Sequence, residues 1–134
     1  MRRFFRDHLT PLRVILAADA LFEFAVAAAL FAAGGTIAGW LTISDGAALV
    51  LGAVFAAAGL AVAVVVVLPY AVFVRVLGLA NVAGGSVCWI LAAASWDNLA
   101  PEGRWIVIAV ADMALALGIA QLLVLARDHD QARR

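Results

Sequence analysis

The chain of 134 residues has no lysine, a single cysteine (Cys88), two histidines, three prolines and one tyrosine, and charged side chains make up only 13% of it. One cysteine excludes a disulfide scaffold, and nine arginines balanced by nine acids leave no basic excess for binding nucleic acid. Soluble domains are about a quarter charged and about half apolar. Here 67% of the residues are hydrophobic and the mean hydropathy is +1.10, which excludes a soluble monomer. The composition is that of one small membrane domain covering 1–134.

A hydrocarbon core about 30 Å thick is crossed by about 20 apolar residues in a helix. Four such runs are present, over about 12–33, 47–68, 72–94 and 105–126. Thr10 and Pro11 suit the N-cap and first helical position of the first run, and Gly34 and Gly35 read as its end. Ser44, Asp45 and Gly46 open the second run and Pro69 closes it. Between the second and third runs only Pro69, Tyr70 and Arg75 interrupt an apolar text, which predicts a tight helical hairpin. Pro101, Glu102, Gly103 and Arg104 read as a loop before the fourth run, which starts at Trp105. None of the runs alternates as a strand would, and in lipid only helices or closed barrels satisfy every backbone group. The expected fold class is all-α, a polytopic four-transmembrane-helix bundle with short loops.

Arg2, Arg3, Arg6, Arg13, Arg75, Arg127, Arg133 and Arg134 fall on one side of this arrangement, and only Arg104 falls on the other. The positive-inside rule then puts both termini in the cytoplasm of a bacterial cell, with the chain in the inner membrane and the loops 36–46 and 96–104 facing outward. Trp40, Trp96 and Trp105 mark the outer boundary as an aromatic belt. The basic start, Met1 to Arg6, is read as leading into a retained first span, because the apolar stretch after it is too long for a signal peptide and carries two acids.

The chemistry-bearing residues at membrane depth are Asp19 and Glu23 in span one, Asn81 in span three, and Asp112 and Gln121 in span four. At about 1.5 Å of rise per residue, Asp19, Glu23 and Asn81 lie about 10, 16 and 13 Å above the inner boundary, close enough in depth to meet, and Gln121 about 8 Å above it. Asp19 and Glu23, four apart, share a helical face and repel when both are ionised. An acid at the helix centre costs about 2.5 to 3.5 kcal/mol and each large aliphatic returns about 0.3 to 0.6, so span one needs partners. Arg75 could extend toward Asp19, and Asn81 could offer its amide to Glu23. These residues form either a site for a proton or cation, or a charge-paired cluster that ties spans one and three together. Asp112 lies on the side of its helix opposite Gln121 and reads as a second site, paired with Arg104, with another chain or with a neighbouring helix.

Gly52, Ala56, Gly59 and Ala63 form a small-residue stripe on span two, and Gly84 and Gly85 suggest a close helix crossing in span three. His8 and His129 lie outside the hydrocarbon region with no spaced ligand partners, and Cys88 has no local base, so no metal site, cofactor or catalytic residue is expected. The text from Asn81 through Trp89 to Ser95, followed by Pro101, Gly103, Gln121 and an arginine-bearing tail, resembles small bacterial four-span integral membrane proteins over residues 75–127. The resemblance implies the four-helix architecture and no assigned activity. The expected function is that of a non-enzymatic integral membrane protein, a small helical subunit, assembly or scaffold component whose partners are the lipid bilayer and either further copies or another membrane protein. The alternative is a proton-linked transporter or channel component using the acids of span one. A weaker third idea is a quinone or lipid contact at Trp89 and Asn81.

Overall fold

The computed structural model describes residues 4–132, with side chains described from 11 to 127. Arg2, Arg3, Arg133 and Arg134 lie outside the described residues, and the side chains of Arg6, His8, Thr10 and His129 lie outside the described side chains. Four α-helices run in sequence: α1 (Phe4–Leu41), α2 (Asp45–Val67), α3 (Ala71–Ala94) and α4 (Pro101–Ala132), with one 3-10 turn at Trp96–Asn98 and no strand among the described residues. Each helix is long and apolar enough to cross a membrane. The all-α four-helix bundle expected from the hydrophobic runs is the architecture observed.

Four boundaries differ from the sequence reading, one of them the end of α4, which runs on past 126 to Ala132. α1 does not start at Thr10 and Pro11 but runs from Phe4, with Pro11 in its interior. A single interior proline removes one intrahelical bond without ending the helix here. Gly34 and Gly35 do not end α1 either: the backbone leaves helical geometry at Ala33 (φ −129°, ψ 26°), then resumes to Leu41. The break is a kink, as expected where glycines lower helix propensity but lipid offers the backbone no other hydrogen-bond partners. α4 begins at Pro101 rather than Trp105. Proline at the first helical position and Glu102 in the first turn form a helix start, since that position needs no amide hydrogen and the N-terminal dipole favours an acid.

Two helix ends are built as their residues dictate. Ser44 caps α2, its hydroxyl oxygen accepting from the Ala47 amide at 3.2 Å. α1 ends with Thr42 in the left-handed region (φ 58°) and the Ile43 amide donating back to the Ala38 carbonyl at 3.0 Å, a Schellman closure. Ile43 packs against the Leu30, Ile37, Ala38 and Ala48 cluster that seats this end on α2.

α1 packs along α2, α3 packs along α4, and α1 also meets α4, whereas α2 and α3 barely touch although only residues 68–70 separate them. The connection is tight, and beside it Val62 and Val65 of α2 and Val74 of α3 share a buried cluster with Leu12 and Leu16 of α1, but farther along the two helices part. The small-residue stripe of α2 is used inside the chain: Gly52 faces Leu30 and Phe31, and Gly59 faces Phe24. α3 and α4 come closest at Gly78 and Gly118, where a β-carbon on Gly118 would lie 2.7 Å from the Gly78 carbonyl oxygen. Gly85 repeats this contact against Ala111 and Leu115, while Gly84 faces open space, so only one of the two adjacent glycines marks the crossing.

Candidate functional site

Asp19 is fully buried where α1, α3 and α4 converge. Its Oδ2 accepts two amide hydrogens, from Asn81 Nδ2 at 2.9 Å and from Gln121 Nε2 at 2.6 Å. The glycine crossing creates this geometry. Asn81 is one turn from Gly78 on α3 and Gln121 one turn from Gly118 on α4, so both amides reach the same carboxylate from flanking positions. Gln121 is fully buried and Glu23, one turn beyond Asp19 on the same face of α1, is nearly so. Three oxygens of this cluster have no hydrogen-bond partner: Asp19 Oδ1, Glu23 Oε2 and Gln121 Oε1.

The structure therefore brings together Asp19, Glu23, Asn81 and Gln121, but two pairings differ from expectation. Asn81 donates to Asp19, not to Glu23. Arg75 does not join the cluster: it is exposed, and the hydrogen-bond partners of Asp19 are amides. At about 100° per residue Arg75 lies about 120° around α3 from Asn81, so the length of its side chain cannot bring it to the face that meets α1. Among the described side chains the cluster has no charge partner and is held by neutral donors.

Asp112 is a separate site, on the side of α4 away from Gln121. Its Oδ1 accepts from the indole Nε1–H of Trp89 at 2.9 Å, and both residues are exposed on the surface of the bundle. Arg104 does not reach it; that guanidinium donates from Nε to the Trp96 carbonyl at 3.0 Å and stacks 5.0 Å above the Trp96 ring. Trp89 and Asn81, named together as a quinone or lipid contact, hydrogen-bond to different carboxylates, Asp112 and Asp19. Trp89 as the partner of Asp112 was not legible beforehand. The available signal was that an indole N–H within an apolar helix requires an acceptor.

A third feature lies toward the end that carries Trp40, Trp96 and Trp105. α1 and α4 meet again there, with the Ala100 amide donating to the Trp40 carbonyl at 3.0 Å and Gly103 directly against that carbonyl group. Below this contact an entirely apolar cleft of about 290 Å³ opens among all four helices, lined by Leu30, Leu51, Phe55, Cys88, Val107 and Val110 among others. No cluster of metal-ligating acids, histidines and cysteines occurs among the described residues.

The fold and its sites define a multi-pass helical membrane bundle with one buried carboxylate–amide cluster and one outward-facing carboxylate. No protein-family model, curated protein or solved structure matches the chain.

Proposed function

We propose that this protein is a non-enzymatic integral membrane protein of the bacterial inner membrane, a small helical subunit that docks onto another membrane protein through the α3–α4 face around Asp112. The observation that carries the reading is the placement of that carboxylate. Asp112 lies about 10 Å along α4 from Trp105, within the apolar span, yet it faces away from the bundle and has only the Trp89 indole as a partner. An acid exposed to acyl chains costs about 2.5 to 3.5 kcal/mol, and such residues are ordinarily turned inward or paired. A partner helix presenting arginine, lysine or another hydrogen-bond donor at the same depth would complete the site. Two copies joined through this face would set acid against acid. The connections at 42–44, 68–70 and 95–100 are short, which supports a role within the membrane rather than catalysis outside it. Even-numbered crossing puts both termini in one compartment, and the arginine distribution supports reading that compartment as the cytoplasm.

The test is the mass of the protein extracted from its native membrane in mild detergent, measured by native mass spectrometry. A complex with a second membrane polypeptide that is lost in both Asp112→Asn and Asp112→Ala, while the variant chain still accumulates, supports the reading. A single chain, or a complex indifferent to both substitutions, overturns it. Reporter fusions at the two ends that report opposite compartments would refute the four-span topology.

A further inference from the structure

The cluster around Asp19 does more than join helices, because its hydrogen-bond accounting does not close. Both available donors, Asn81 Nδ2 and Gln121 Nε2, are spent on the same atom, Asp19 Oδ2. Asp19 Oδ1, Glu23 Oε2 and Gln121 Oε1 are left as buried acceptors with no hydrogen to accept. The Gln121 bond of 2.6 Å holds that amide against the carboxylate, so its free carbonyl oxygen sits at the cluster, and Gln121 is fully buried. A cluster serving only as a structural clamp would direct donors to these atoms, since buried polar groups in proteins are almost always satisfied.

Among the described side chains, no basic group reaches the cluster. Arg13 on α1 and Arg75 on α3 are exposed; α2 carries no charged residue after Asp45; on α4, Asp112 lies on the opposite side and Arg127 is exposed. Oxygen-only donors select hard cations over transition metals. Calcium needs about six to eight oxygens and magnesium keeps several waters. Three protein oxygens fall well short of a calcium shell, and two neighbouring carboxyl groups are relieved of their repulsion by a single proton or a single monovalent ion without a second charge.

We propose that Asp19, Glu23 and Gln121 form a binding site for a small monovalent cation, a proton or a sodium ion, seated among Asp19 Oδ1, Glu23 Oε2 and Gln121 Oε1. The site is independent of the docking face at Asp112 and stands or falls separately from it. Its occupant bridges α1 and α4 directly and α3 through Asn81, so binding tightens the junction of three helices.

Two measurements on the purified wild-type protein in detergent test this. The first follows thermal unfolding by tryptophan fluorescence as sodium chloride replaces choline chloride at constant ionic strength. The second follows the carboxyl stretch by infrared spectroscopy at neutral pH, with Asp19→Asn and Glu23→Gln assigning the bands. A saturable rise of the unfolding midpoint with sodium, lost in either variant, identifies a sodium ion. A protonated-carboxyl band that is lost in one of these variants, with no response to sodium, identifies a proton. Ionised carboxylates at both positions with no response to sodium overturn the proposal. The overturning result is read on the wild type alone, and the two substitutions are made separately, so if one variant fails to accumulate the other still assigns the response.

Discussion

At the scale of single residues, Asp19 is the hinge of the interior, because within lipid there is little hydrophobic drive to hold helices together and close packing and interhelical hydrogen bonds take its place. One carboxylate oxygen serves two helices. Asn81→Ala and Gln121→Ala should each destabilise the bundle by about 1 to 2 kcal/mol, and the double variant should cost less than their sum, because the two amides share an acceptor. Asp19→Ala should cost more than either, about 2 to 4 kcal/mol, since it leaves two amide groups unpaired, whereas Asp19→Asn keeps an accepting oxygen and should cost under about 1 kcal/mol. Unfolding in mixed micelles of increasing sodium dodecyl sulfate measures all five, and additive Asn81 and Gln121 effects would contradict the shared acceptor. The sequence disclosed which residues belonged here, because an acid, an asparagine and a glutamine at membrane depth must find one another. It did not disclose the pairing. Arg75 was included on reach alone, and the rotation of α3 excludes it.

At the scale of elements, the helices were legible from hydrophobic runs, but their ends were legible only where a cap is unambiguous, as at Ser44 and Asp45. Gly34 and Gly35 resembled a stop, and Pro101 with Glu102 resembled a loop, because the same residues serve both roles in water and only the surroundings decide. Which glycines matter was equally hidden. Gly84 and Gly85 are neighbours in sequence, yet a β-carbon on Gly85 would lie 2.8 Å from the Ala111 carbonyl oxygen while one on Gly84 would meet nothing within 4 Å. Gly85→Ala and Gly118→Ala should therefore push α3 from α4 and cost about 1 to 3 kcal/mol each. Gly84→Ala should be neutral or stabilising by up to about 1 kcal/mol through its helix propensity. Gly118→Ala carries an added consequence: its new methyl would crowd the Asn81 β-carbon at 2.9 Å and weaken the bond to Asp19. Melting of the three variants side by side checks this, and an equal loss for Gly84→Ala and Gly85→Ala would disprove the assigned crossing.

At the scale of the whole molecule, the bundle is closed at one end by a polar junction and at the other by the contact of Trp40 with Ala100 and Gly103, and it is slack between them because α2 and α3 splay. No single helix shows this in its sequence, since it depends on which pairs pack and which do not. Cys88 reports on it directly, being the only thiol in the chain and half-buried in the wall of the apolar cleft. If the four helices cross the bilayer as their hydropathy requires, Cys88 lies within the hydrocarbon and the cleft opens to lipid rather than to water. Maleimides add to the thiolate, which does not form in hydrocarbon, so neither a small uncharged maleimide nor a charged, membrane-impermeant one should label Cys88 in intact membranes, from either face. Unfolding in sodium dodecyl sulfate should make both reagents react. Labelling by the charged reagent in sealed vesicles of one orientation would mean that water reaches the cleft, and a path for polar solutes between α2 and α3 would then replace the lipid-facing crevice. Labelling by the uncharged reagent alone would mean that enough water to ionise the thiol enters the apolar space of about 290 Å³ beside it through an opening that bars the charged one.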